Sequence, residues 1–469
     1  NKMTSSMSSD KTNSKFHLAY KMLTILSSNT VTPSEPTPNV QYSLSDCDQI
    51  KLPTHAPMLY VYKPNKKFSL GNPIEALTNS LSQALVHYYP IAGRLCLIEG
   101  GRFEVHCNSM GVQLLEAFCE ADLDEFDDFE PTQKVQDLFP KIDYGCPIQE
   151  IPLMGVQLTS FLCGSLTLGV AISRAVVDGS SAMRFVNSWA KLAKGEKLYS
   201  SIIPVHDRDL LKSSKQHTTP RFDHVEFLPP PSWISCSETE TKTEQTSVAV
   251  LKISKNQIEK LKKEANGLLG NKNSTFVVIS GHLWRSVCKA RYVDRNGYQP
   301  TSLTTLVDCR NRVKPPIPNV YFANAVFPTV TPTCQFKDIM EKPLSYTVSK
   351  ISEAIGKVTE EYVRSALDYI ANQKDMNLLR TSFHSSAENP NLFVVSWMNF
   401  PNNDTDFGWG NPTYMGPGNI NSEGKVFLMK NGVEDGSLII AICLKAAHIN
   451  AFKKFFYEDI KEVFPAAKL

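Results

Sequence analysis

The sequence predicts an α/β protein of two domains, and three observations carry the prediction. Short alternating apolar runs and longer runs at helical spacing occur in both halves of the chain, so strands and helices are mixed throughout. Residues 200–246 shift to Pro, Ser, Thr, Lys and Glu; PRFDHVEFLPPP and SETETKTEQT are rich in breakers and lack periodicity, which reads as a crossover loop. The length, 469 residues, allows two or three domains with a sizeable core. The expected division is a disordered leader over 1–15, an N-terminal domain over 16–199, the crossover over 200–246 and a C-terminal domain over 247–469. No repeat at a fixed period relates the two halves.

Taken in order, FHLAYKMLTILSSNTV reads as a first strand that the proline-rich TPSEPTPN ends. LPTHAPMLYVYKP gives a second strand, with Met58, Tyr60 and Tyr62 on one face and Leu59 and Val61 on the other. Asn72-Pro73 opens a helix, cap and first-turn proline in their favoured places, and Ile74, Leu77, Leu81, Leu85 and Tyr88 form its apolar stripe. Acidic ADLDEFDDFEP, residues 121–131, reads as a solvated loop. In LTLGVAISRAVVDGSSAMRFVNSWAKLAKG, residues 166–195, Leu166, Leu168, Val170 and Ile172 alternate as a half-buried strand. Asp178 or Ser180 then caps a helix carrying Val186, Trp189, Ala190 and Ala193, and Gly195 stops it. A strand end that turns tightly into a helix start holds its side chains on rigid elements, which suits a functional site. Beyond the crossover, SVAVLKI is a strand, Ser254 caps the helix KNQIEKLKKEA, and STFVVISGHLWRSVCKARY is a buried helix. The chain closes with strand SLIIAICL and helix INAFKKFFYEDIKEVF.

Composition narrows the class. Hydrophobic residues make up 42% and charged residues 20%, an ordinary globular balance. A formal net charge of +2, without a basic run interleaved with aromatics, argues against a nucleic-acid partner. No apolar run reaches the length of a membrane span, and the start lacks the apolar core of a signal peptide. Eleven cysteines, an odd number with no C-x-x-C pair, fit reduced thiols in a cytoplasmic protein. The histidines show no metal-ligand spacing, so no metal is expected.

Four stretches together resemble one family: RAVVDG around Arg174, Asp178 and Gly179, then YYPIAGRL, VDCRNRVKPPIPNVYFANAV, and DFGWGNP from Asp406 to Pro412. From about Phe16 onward the chain resembles the BAHD acyltransferases, plant enzymes that move an acyl group from coenzyme A to an alcohol or amine. The likeness leans to hydroxycinnamoyltransferases acting on shikimate-like or spermidine-like acceptors. It implies a two-domain fold of the chloramphenicol-acetyltransferase type, with mixed β-sheets and a channel between the domains. It also implies a monomer with no bound cofactor, with acyl-CoA as co-substrate and a small amine or alcohol as acceptor. The family motif is His-x-x-x-Asp-Gly, and Arg174 stands where that histidine belongs.

The substitution bears on catalysis. The family's histidine is a general base, whereas a guanidinium has no acceptor and stays protonated. Losing a general base costs on the order of 10²–10⁴ in rate. The resemblance implies that Asp178 is structural and paired with Arg310. It places Trp397 over the reacting centre, its indole N–H aimed at an oxyanion, and gives Asp406, Gly408, Trp409 and Gly410 structural roles at the second motif. Pocket positions would be Ala56, Met58 and Tyr60, where relatives tend to show Thr-Pro-Ser-x-Tyr, Val395 in place of a Thr, and Arg380 as a grip for a carboxylate. The apolar replacements accompanying Arg174 favour natural divergence over a single isolated change.

Two readings of Arg174 stay open: a local ion pair with Asp178 four residues on, or a fixed cation facing the channel. His55 is the candidate substitute base, and His282 reads as a satisfied core histidine. The leading functional expectation is an acyl-CoA-dependent N- or O-hydroxycinnamoyltransferase weakened at its base. The alternatives are a repurposed fold that uses Arg174 to stabilise an anion in a coenzyme-independent lyase, condensation or cyclisation step, and a non-catalytic ligand binder.

Overall fold

A computed structural model describes residues 23–65, 72–126, 129–130, 133–214, 219–233, 245–266, 273–292, 297–382, 389–400, 404–432 and 435–461. The expected leader and positions 16–22 of the expected first strand lie outside these residues; the strand is seen over Leu23–Val31. Two six-stranded sheets dominate. The first runs in the order Leu23–Val31, Val112–Cys119, Met154–Phe161, Leu166–Ser173, His55–Tyr62, Tyr414–Pro417. The second runs Val326–Val330, Leu303–Asp308, Leu392–Ser396, Lys425–Lys430, Leu438–Lys445, Thr246–Ile253. Both are mixed: Val112–Cys119 lies parallel to Met154–Phe161, and Leu392–Ser396 lies parallel to both of its neighbours.

Alternation decides what each face of the second sheet meets. Val426, Leu428, Ile440, Ile442 and Leu251 pack into a core with the long helix Thr275–Tyr292. Their alternates Phe427, Met429, Ala441 and Cys443 join a different core, shared with Met58, Val170, Ile172 and Trp189 of the N-terminal half. The two halves therefore meet along one face of the second sheet, and that seam is where the motif residues lie.

The motif helix, Gly179–Ala193, is capped by Asp178 and packs on helix Pro73–His87. Trp189 is fully buried between them, its indole donating to Ser80 Oγ at 3.0 Å. DFGWG closes over the same helix. Asp406 Oδ1 accepts the N–H groups of Gly408 and Gly410, both at 2.8 Å, in a turn that holds these glycines at φ +98° and +86°, which side chains resist. Phe407 then meets Trp189 edge-on at 4.9 Å, and Trp409 meets Tyr62 at 5.2 Å.

This latch delivers strand Tyr414–Pro417 to the edge of the first sheet, where it pairs with His55–Tyr62. The first sheet is thus not built from residues 16–199 alone: one strand crosses back from beyond the crossover. The crossover itself carries short turns at Ser200–Ile202, Arg208–Leu211 and Val225–Phe227. It is tied down by His224, which bridges Glu226 and Ser365, each at 2.9 Å. The acidic stretch is anchored in the same way, with Leu123 buried and Phe126 edge-on to Phe161.

Candidate active site

Arg174 follows the strand Leu166–Ser173. Its N–H donates to the Thr54 carbonyl at 2.8 Å, and its own carbonyl accepts from Asn324 Nδ2 at 3.0 Å. Clamped on both sides, the backbone fixes where the side chain leaves. Arg174 is half-buried as a residue, and its guanidinium makes no ion pair or side-chain hydrogen bond among the described residues and is pushed below the usual arginine range by burial.

Asp178 is fully engaged elsewhere. Oδ1 accepts the Ser181 N–H at 2.9 Å, Oδ2 accepts the Ala325 N–H at 2.9 Å, and Arg310 Nη2 reaches both oxygens at 3.1 and 2.9 Å. Arg310 also meets Asp308 at 3.2 Å. Burial works against its charge, but the two carboxylates outweigh it and hold Arg310 above the ordinary arginine range. The local Arg174–Asp178 ion pair is therefore not made. Asp178 turns inward to cap its helix and to bind a residue distant in sequence, leaving no acceptor for Arg174.

A second buried carboxylate–arginine pair supports the site and was not foreseen. Asp48 meets Arg208 at 2.6 Å, both fully enclosed, and its Oδ1 accepts from Asn324 N and Nδ2 at 2.9 and 2.8 Å. The segment around Phe322–Ala325 is thus pinned between two carboxylates, Asn324 on Asp48 and Ala325 on Asp178. Because Asn324 also holds the Arg174 carbonyl, both pairs bear on where Arg174 sits.

Trp397 ends strand Leu392–Ser396, its N–H bonded to the Leu428 carbonyl at 2.7 Å. Its ring stands edge-on to Phe427 at 5.1 Å and tilted against Phe400 at 5.7 Å. A Cβ on Gly179 would come within 2.6 Å of Phe400 Cζ. Glycine at the motif's last position is what lets the loop after Trp397 close on the motif turn.

The expected base and pocket residues fare unevenly. His55 Nε2 contacts the Pro152 carbonyl at 2.8 Å, so that nitrogen carries the proton, and Nδ1 accepts from the Tyr144 hydroxyl at 2.9 Å. Burial, assisted by Arg174, pulls its pKa to about 4 despite the Pro152 bond. A neutral imidazole with its lone pair spent on Tyr144 is a poor substitute base. Ala56 and Val395 are half-buried along the seam, whereas Met58 and Tyr60 are fully buried and Tyr60 donates to Met183 Sδ at 3.0 Å. These two belong to the core beneath the site. Arg380 is spent on structure: it donates to the carbonyls of Gln49 at 2.7 Å and Gly101 at 2.6 Å and lies 4.3 Å over the Phe103 ring. With Asn377 Oδ1 and Gln49 Oε1, each at 3.3 Å, these partners take four of its five N–H donors, so the helix Met376–Ser382 turns Arg380 toward the N-terminal half. His282 is a core histidine, bonded to the Phe456 carbonyl at 2.9 Å.

Lys425 was missed altogether. It opens strand Lys425–Lys430 opposite Phe393 and shares the parity of Phe427 and Met429, so it faces the seam. Its ammonium lies 5.4 and 5.8 Å from the ring centroids of Phe427 and Phe393. Burial, then the charge of Arg174, lowers its pKa to about 7. The signal was present in the sequence: in Lys425-x-Phe427-x-Met429 a lysine occupies an apolar-face position.

Among the described residues no cluster of side chains could hold a metal ion, and no helix is long and apolar enough to cross a membrane. The model of the family described as Transferase family matches residues 21–459. Hydroxycinnamoyl-CoA:piscidic acid hydroxycinnamoyltransferase of Actaea racemosa is 43% identical over 94% of this chain and 100% of its own length. Shikimate O-hydroxycinnamoyltransferase of Nicotiana tabacum is 38% identical over 92% and 98%. Among solved structures, vinorine synthase superposes with a TM-score of 0.72 at 20% identity, over 93% of this chain and 98% of that one, a likeness of fold. The chain belongs to this family, the BAHD acyltransferases, and is a transferase-family enzyme with their two-sheet α/β fold.

Proposed function

We propose that the protein transfers a hydroxycinnamoyl group from its coenzyme A thioester to the hydroxyl or amine of a small acceptor, in a channel along the seam. The observation that carries this reading is the full-length identity to hydroxycinnamoyltransferases, joined to a motif turn whose Asp178–Arg310 pair is intact at 2.9 Å. In the reaction the acceptor attacks the thioester carbonyl, negative charge gathers on its oxygen, and coenzyme A leaves as the thiol. Arg174 supplies a fixed cation at the position of the family's base, and Trp397 an indole N–H, both suited to developing negative charge. Arg174 takes no proton, so an acceptor amine that arrives neutral is favoured over an alcohol.

Release of free coenzyme A thiol tests the reading. Hydroxycinnamoyl, benzoyl, acetyl and malonyl thioesters are offered with polyamine, shikimate and alkaloid-like acceptors, to the protein and to Arg174→His. Turnover by both, with the histidine variant faster by about 10-fold or more, is expected. Silence from both across the panel overturns the reading and favours the repurposed fold, in which Arg174 stabilises an anion without coenzyme A.

A further inference from the structure

Most of the fold's buried arginines are matched with acceptors, and Lys51, whose charge Arg174 also disfavours, donates to the Val326 carbonyl at 3.4 Å. Arg208 has Asp48, Arg310 has Asp178, and Arg291 holds Glu423 at 2.8 Å. Arg380 and Arg94 are surrounded by backbone carbonyls, Arg94 donating to Gly93 and Gly111 at 2.7 and 2.8 Å. Arg174 and Lys425 break the pattern. One follows strand Leu166–Ser173 of the first sheet and the other lies on the inner face of the second, where the charge of Arg174 reaches Lys425. Neither meets a carboxylate among the described residues. Asp178, four residues on from Arg174, and Glu423, two residues before Lys425, are committed to Arg310 and Arg291. His55 is neutral and the Tyr144 hydroxyl protonated, so neither supplies negative charge. Two half-buried like charges without a counter-ion favour a ligand that brings one.

We infer that a carboxylate carried by one of the two substrates binds between Arg174 and Lys425. The inference rests on the transferase reading only in taking that carboxylate to belong to a substrate, and with Arg174 so engaged it leaves the developing oxyanion to Trp397; binding itself needs no turnover. Arg174 offers a planar, permanently charged fork, and Lys425 a compact ammonium with three donors. The aromatic wall of Phe393 and Phe427 beside Lys425 suits a flat or apolar ligand body next to the acidic group.

A proton accompanies the ligand. Facing Lys425 are Arg174 from the first sheet, Cys443 from the adjoining strand with its thiol pushed up by burial, and Glu423 in the preceding turn, held by Arg291. Strand Leu392–Ser396 brings no titratable group. An arriving carboxylate cancels the repulsion from Arg174 and raises the proton affinity of Lys425. Above about pH 7 binding therefore takes up a proton, and affinity falls as pH rises.

Calorimetry on the full chain tests this with shikimate, malate and 3-phenyllactate, each beside its methyl ester, and with malonyl-CoA beside acetyl-CoA and free coenzyme A. Titrations at pH 8 in two buffers of different ionisation heat count the protons. At least one acid is expected to bind about 10-fold or more tightly than its neutral partner, with fractional proton uptake. Arg174→Gln and Lys425→Met both lose the preference, and Lys425→Met loses the uptake. Thermal midpoints of both variants, read in parallel, confirm that they fold. Preference among the free acids assigns the carboxylate to the acceptor; preference for malonyl-CoA assigns it to the acyl donor. The inference falls if esters bind as well as acids, if no acid binds, or if the variants weaken free coenzyme A instead, which would make its phosphates the anion. Coenzyme A release without acid preference removes this inference alone, and acid binding without any release removes the transferase reading alone.

Discussion

At the scale of single residues, two kinds of buried charge set the behaviour of the site. Asp178 and Arg310 are enclosed and paired, so removing one partner strands the other. Arg310→Met is expected to lower the free energy of unfolding by about 3–5 kcal/mol in urea titrations, the usual cost of breaking a buried pair. Lys425 is the opposite case. Its pKa is about 7 in the folded chain, against about 10.4 for a lysine in the unfolded one. Between those values the unfolded chain binds more protons, so this group makes stability climb as pH rises from about 7 to about 10. Lys425→Met removes the climb. The variant should be more stable than the parent at pH 7 by about 1 kcal/mol or more, with the gain vanishing near pH 10. A gain of equal size at both pH values would show that Lys425 is charged and solvated in the folded chain. Arg174 illustrates how far local sequence reaches. Its spacing from Asp178 suggested a pair, but a carboxylate that caps its own helix points away from the residue four places before it, and Arg310 was already aimed at it.

At the scale of elements, the strand, turn and helix from Leu166 to Ala193 were legible because alternation, cap and helical stripe all agree within a short window. The Tyr414–Pro417 edge strand was not, since four residues between turns carry no periodicity and the pairing with His55–Tyr62 is a tertiary choice. Lys425 and the Asp48–Arg208 pair escaped for the same reason: each gains its meaning from a side chain far away in sequence. Arg380 shows the converse, a residue type suited to gripping an acid that the fold spends on backbone carbonyls. Two substitutions probe how the elements meet. Gly179→Ala brings a methyl group within 2.6 Å of Phe400, and should cost about 1–3 kcal/mol through overpacking while lowering kcat by displacing the loop that carries Trp397. Unchanged stability and kcat would mean that Phe400 yields freely. Asp406→Ala leaves the N–H groups of Gly408 and Gly410 without their acceptor and should cost about 1–3 kcal/mol, read as a lower urea midpoint.

At the scale of the molecule, the two halves are not separable bodies. One core takes in Met58, Val170, Ile172 and Trp189 from the N-terminal half and Phe427, Met429, Ala441 and Cys443 from the second sheet. A strand from beyond the crossover completes the first sheet as well. Chains of this length often unfold in steps, domain by domain. Here an unfolded second sheet would leave the first with an uncovered core face and a missing edge strand, so unfolding should be a single transition. Trp189, Trp397 and Trp409 report the shared core, while Trp284 sits in the core on the far face of the second sheet. Fluorescence from the chain and from Trp284→Phe should therefore give the same urea midpoint after correction for the variant's own stability, and far-UV circular dichroism should coincide with both. Phe427→Ala removes the ring that Trp397 packs against within the shared core and should shift every probe together, by about 3–5 kcal/mol. If instead the shared-core tryptophans moved while the second-sheet amides kept their hydrogen-exchange protection, the seam would be a contact between independently stable domains. Arg174 and Lys425 would then face each other only as firmly as that contact holds.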